Sequence, residues 1–77
     1  MKVVLNALYD NEVFEFILDF QMIPSIGDKI RLDSDTYGEY EKSIMGCEDT
    51  FIVGEVYYIM KGHSLDYFYI VADFDKS

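Results

Sequence analysis

Two long stretches of this chain place a large apolar residue at every second position, and that period of two constrains the fold more than any other feature. Over residues 2–9, Val3, Leu5, Ala7 and Tyr9 fall on one side and Lys2, Val4, Asn6 and Leu8 on the other. Successive side chains of a strand point to opposite faces, so the pattern predicts a strand with one clearly apolar side. Asp10-Asn11 then supplies residues that tolerate a left-handed backbone. Alternation resumes over Glu12 to Phe20, with Phe14, Phe16, Leu18 and Phe20 opposed to Val13, Glu15, Ile17 and Asp19. The two segments predict a hairpin. A helix over Glu12 to Phe20 is the rival, because Val13, Phe14, Ile17 and Phe20 also recur at helical spacing. The β-branched and aromatic content favours the strand.

Pro24, the only proline, removes a backbone donor and biases Ile23 away from helix, so the chain must leave the second strand there. Gly27-Asp28 predicts a turn, and Ile30 and Leu32 then alternate with Lys29, Arg31 and Asp33 in a third strand. The pattern breaks over Asp33 to Thr50, where Asp33, Asp35, Glu39, Glu41, Glu48 and Asp49 stand against Lys42, a local −5 in a chain of net charge −9. A structureless loop of this length is uncommon in a compact domain. Either a short helix around Glu39 to Met45 or a functional excursion is expected. Phe51 to Met60 and Tyr67 to Phe74 predict two more strands, joined by the turn Lys61 to Asp66. Gly54, inside the first of them, suggests a bulge or bend.

With 77 residues the chain has room for one domain, residues 1–77, near the lower limit at which a core suffices without staples. A single cysteine, Cys47, rules out an internal disulfide, and no Cys/His spacing suits a metal, so neither metal nor cofactor is expected. The N-terminal MKVVLNALYD lacks the apolar run of a signal peptide, and no run is long enough to span a bilayer. The expected location is the cytoplasm. Six Lys+Arg against fifteen Asp+Glu would repel a polyanion, which argues against direct binding to nucleic acid or an anionic membrane. A basic protein surface is the favoured partner.

Five strands with two-sided apolar character would leave one face of a flat sheet wet, and closure solves that. The expected fold is all-β: a small five-stranded antiparallel SH3-like barrel with one long acidic excursion between strands 3 and 4. Three segments, PSIGDKIRL, FIVGEVYYI and YFYIVADF, resemble the short SH3-like barrel proteins of phage and bacterial mobile elements. In these a P-x-x-G-D-x-[IV]-x-[LF] corner precedes a strand, and a V-x-x-V-x-[YH] strand pairs with a last apolar one. Pro24, Gly27, Asp28, Ile30 and Leu32 match the first pattern, and Val53, Val56 and Tyr58 the second. The resemblance implies a small binding module and supplies no catalytic motif.

Asp33 to Glu39 superficially matches a calcium loop, with Gly38 at the sixth position, but Tyr37 replaces a ligand and Ile44 stands where the bidentate glutamate belongs. A solvated acidic turn is the better reading. Cys47 and His63 are the only conventional nucleophile and base, and nothing in the sequence brings them together. Cys47 reads as a small hydrophobe and His63 as an exposed turn residue. The carboxylate pairs Glu39/Glu41 and Glu48/Asp49 would need a cleft that so short a chain can hardly build. No enzyme is expected.

Tyr57 and Tyr58 are consecutive on a strand and must point to opposite sides, so one of them lies outside unless a partner covers it. The simpler reading is cross-strand packing with Tyr67 and Tyr69. As a binding surface, Tyr58 with Tyr37 and Tyr40 would anchor an interface rimmed by Asp33, Asp35, Glu39, Glu41, Glu48 and Asp49. Such carboxylates can imitate a line of phosphates and occupy a nucleic-acid groove, as phage-borne inhibitors of restriction or CRISPR nucleases do. The alternative is a homo-oligomeric structural or assembly protein whose acids only keep it soluble.

Overall fold

A computed structural model describes residues 1–46 and 48–76. The expectation for Cys47 lies outside the described residues. The elements are β1 (Lys2–Tyr9), β2 (Glu12–Asp19), β3 (Lys29–Asp33), α1 (Glu39–Ile44), β4 (Glu48–Lys61) and β5 (Ser64–Phe74). Both predicted hairpins form: β1 pairs antiparallel with β2 from Tyr9↔Glu12 to Lys2↔Asp19, and β4 with β5. Their turns use the backbone freedom the sequence offers, Asp10 at φ 51° and Gly62 at φ 63°.

The five strands make one sheet in the order β2-β1-β5-β4-β3, an open half-barrel. Here the structure corrects the expected all-antiparallel pairing: β1 and β5 run parallel, from Val3↔Phe68 to Leu8↔Asp73. Among the described residues no ladder joins β2 to β3, which stand at opposite ends of the sheet. Turn chemistry dictates which strands form hairpins. It leaves open how one hairpin meets the other.

Alternation places the core on one face. Val3, Leu5, Ala7, Phe14, Phe16, Leu32, Phe51, Val53, Phe68, Ile70 and Ala72 are buried there, whereas Val13 and Ile17, on the opposite face of β2, are more than half exposed. A helix would not have separated Phe14 and Phe16 from Val13 and Ile17 in this way. Gly54 does mark a bulge: the register passes from Val53↔Ala72 to Glu55↔Val71. The extra residue resets the phase of β4, so that Val56 and Tyr58 follow Phe51 and Val53 on the core side.

The Pro24 corner turns out to be part of a strap. Residues 20–28 carry the chain from β2, at one end of the sheet, to β3 at the other. Phe20 and Ile23 pack against the core, and the far end is pinned by Gly27 N donating to the Val53 carbonyl at 2.8 Å and Val53 N to the Asp28 carbonyl at 2.9 Å. The acidic excursion roofs the same face. Tyr37 and Met45 are buried, and the rings of Tyr37 and Tyr40 lie 5.9 and 5.8 Å from those of Phe16 and Phe14 on β2. Side chains from the β3 end thus reach β2 and close the half-barrel where no strand pairing does.

Beyond Val53, β4 pairs with β5 alone, and before Phe68, β5 pairs with β4 alone. Residues 54–67 therefore form an arm: β4 is an open edge throughout it, β5 still pairs with β1 as far down as Phe68, and residues 59–67 project beyond as a two-stranded tip. The extents of 40 × 25 × 23 Å and the radius of gyration of 12.6 Å record it. A compact chain of this length would measure about 11.5 Å. No helix among the described residues is long and apolar enough to cross a membrane.

Candidate functional site

The excursion is held by its own carboxylates. Asp33 ends β3 and turns the chain, its Oδ1 accepting from Asp35 N at 3.1 Å while its carbonyl accepts from Thr36 N at 3.0 Å. Such Asx turns are the ordinary use of aspartate at a strand end. Glu41 reaches back over the first turn of α1 and accepts from Gly38 N at 3.1 Å, satisfying a helix N–H that has no partner inside the helix. The Tyr40 hydroxyl donates to Glu12 Oε2 at 2.7 Å, tying α1 to the start of β2. Glu48 forms an exposed ion pair with Arg31 at 3.5 Å, which at that exposure adds little stability.

Two of the predicted contact residues face inward. Tyr37 is 5% exposed and Asp49 6%, and the Tyr37 hydroxyl proton is shared between Asp49 Oδ2 at 2.9 Å and the Leu32 carbonyl at 3.1 Å. They form a strut between excursion and sheet, and neither offers a surface to a partner. Tyr58, 66% exposed, sits on the arm with its ring 4.9 Å from that of Phe68, away from the excursion. Tyr57 packs on Tyr69 at 6.0 Å. Of the expected cross-strand packing, the Tyr57–Tyr69 contact forms, whereas Tyr58 packs on Phe68 and Tyr67 stands opposite Ile59.

Six of the predicted residues remain on the excursion's outer surface: Asp33, Asp35, Glu39, Tyr40, Glu41 and Glu48. Sequence reasoning missed the acids that join them. Asp10 and Glu12 come to this end through the β1–β2 turn, and Asp73 and Asp75 through the end of β5, whose Asp73 pairs with Leu8. With the inward-facing Asp49 counted, ten of the fifteen acids gather at one end of the molecule, against Lys29, Arg31, Lys42 and Lys76, leaving there −6 of the net −9. The Tyr40–Glu12 bond could not be read from positions 28 residues apart.

Burial, and then the hydrogen bond to the Asp49 carboxylate, push the Tyr37 phenol far above its ordinary range. The sign follows. Above the usual phenol value of about 10 the unfolded chain loses this proton while the folded chain keeps it, so stability is complete below that pH and falls above it. Tyr40, raised first by its bond to Glu12, and Tyr57, raised first by the charge of Glu55, move in the same direction. The urea midpoint is expected to hold up to about pH 9.5 and to drop progressively from about pH 10 upward. Tyr37→Phe should show a shallower drop, and equal slopes for both proteins would contradict the assignment.

A shallow depression lined by Lys29, Arg31, Glu48, Thr50 and Asp75 lies beside the acidic end, and its cations already face carboxylates: Lys29 lies 3.1 Å from Asp75. The arrangement is a strongly acidic surface in which Asp33, Glu41 and Glu12 are held by hydrogen bonds. No protein-family model matches the chain, and comparison with curated proteins and with solved structures gives no match either.

Proposed function

We propose that this chain is a non-enzymatic acidic binding module whose acidic end docks on a basic protein surface of the kind that otherwise holds nucleic acid. One observation carries the reading: exposed carboxylates from the β1–β2 turn, the excursion and the end of β5 converge at one end, several of them fixed by hydrogen bonds to their own frame. Fixed charges lose little side-chain entropy on binding, and a field of one sign steers a basic partner and excludes acidic ones. An inhibitor that displaces nucleic acid from a phage-defence nuclease is one setting for such a surface.

The test leaves the frame intact. Asp35→Lys, Glu39→Lys and Glu48→Lys, combined, reverse exposed charges and spare Tyr37, Asp49, Asp33 and Glu41. In affinity capture from host lysate, the unaltered chain is expected to retain a nucleic-acid-binding protein at low salt and release it at moderate salt. The triple variant should bind that protein on the order of tenfold or more weakly. Equal retention by both chains at both salts would overturn the reading.

A further inference from the structure

Exposed strand edges invite pairing, and natural proteins blunt them with charges and bulges. Three of the four edges here are so treated. β2 carries Glu12, Glu15 and Asp19, β3 carries Lys29, Arg31 and Asp33, and all six are exposed. On the arm, β5 is interrupted at Asp66, where the register slips between Ile59↔Tyr67 and Met60↔Leu65. The fourth edge is β4 beyond Val53. It runs from Gly54 to Lys61 with no neighbour but β5, and its five residues Val56 to Met60 bear no charge.

That edge is also apolar on both faces. Tyr57 is 46% exposed on one side, and Tyr58 and Met60 are 66% and 54% exposed on the other. The tip of the arm, residues 59–67, is a two-stranded ribbon, which is marginal in water and gains from a further strand along β4. Arm residues 54–67 carry Glu55, Lys61 and Asp66, only −1 of the net −9. On the arm two copies of so acidic a chain can approach with little repulsion.

The edge is self-complementary as well. Glu55 and Lys61 stand three residues either side of Tyr58, and among the described residues neither is in an ion pair within the chain. In an antiparallel pairing of two β4 edges about a two-fold axis at Tyr58, Val56 faces the partner's Met60 and Tyr57 the partner's Ile59. Glu55 then faces the partner's Lys61, and by symmetry the pair occurs twice. The register stops where it must, because Val53 is already bonded to the strap.

We infer that the chain forms a homodimer by antiparallel pairing of the Glu55–Lys61 edge of β4, centred on Tyr58, joining two half-barrels into one sheet of ten strands. The inference is independent of the acidic reading, since the acidic ends lie at the outer extremes of such a dimer.

Light scattering and sedimentation equilibrium of the full chain, from low micromolar to millimolar under reducing conditions, should show a reversible monomer–dimer equilibrium. Glu55→Lys and Lys61→Glu each replace two attractive cross-strand pairs by two repulsive ones. Each is expected to weaken dimerisation by about tenfold or more, and the double swap to restore it to within about threefold. Tyr58→Lys, which sets two lysines against each other at the axis, should give a monomer with an unchanged circular dichroism spectrum. A strictly monomeric unaltered chain, as expected if the edge serves a strand of another protein, would overturn the inference. So would a double swap no better than either single change.

Discussion

Phe51→Ala is expected to cost about 3–5 kcal/mol, the range for truncating a buried phenylalanine. Phe51 is completely buried and lies where three strands meet, opposite Ile30 on β3 and Phe74 on β5, with its ring 5.9 Å from that of Phe74. The strap pins the neighbouring Val53, so the site cannot collapse freely onto the gap. A domain of this size has a total stability of roughly 4–11 kcal/mol. The substitution should therefore remove about a third or more of the total, seen as a large drop in the urea midpoint and, at the low end of that range, as a chain substantially unfolded at room temperature. A change below about 1 kcal/mol would mean that the core does not centre on this junction.

Tyr37→Phe should cost about 1–3 kcal/mol although it removes a single oxygen atom, because it leaves the Asp49 carboxylate buried without its donor. Asp49 alone has the opposite logic. Asp49→Leu removes the charge together with the need for a partner, and leaves the hydroxyl its contact with the Leu32 carbonyl. The double variant Tyr37→Phe/Asp49→Leu is expected to be more stable than the sum of the single effects predicts, with a coupling of about 1 kcal/mol or more. Additive effects would show that the two side chains act separately. This is also the control for the acidic surface, since loss of binding in a variant with an intact strut reflects charge and not a loosened excursion.

The hairpins were legible because their signals are local. Asp10-Asn11 and Lys61-Gly62 announce turns between alternating runs, and Gly54 announces the bulge. The union of the hairpins was not legible, because alternation says which face a residue occupies and not which strand lies beside it. Residues 33–50 were recognisable as an acidic excursion with a short helix, and the helix forms over Glu39–Ile44, one residue short of the expected Met45. Asp49 stands two residues before Phe51 on the core side of β4, which is legible only once the strand is known to begin at Glu48, but nothing local separates Tyr37 from Tyr40. Where these two tyrosines settle depends on Phe14 and Phe16, which belong to a strand more than twenty residues upstream.

The parallel ladder between β1 and β5 has a temporal consequence. The strand at the centre of the sheet is the last of the five to be synthesised, and Leu5 meets Ile70 only after the intervening chain has been made. Until then β1 has no partner but β2, and a hairpin of the two, marginal by itself, would leave Val3, Leu5 and Ala7 uncovered, as in species that aggregate. That nascent ribbon carries Lys2 against Asp10, Glu12, Glu15 and Asp19. Mutual repulsion between such ribbons on neighbouring ribosomes would hold them apart while they wait for their missing neighbour. Acids spread along β2 thus have a use before there is a fold to decorate.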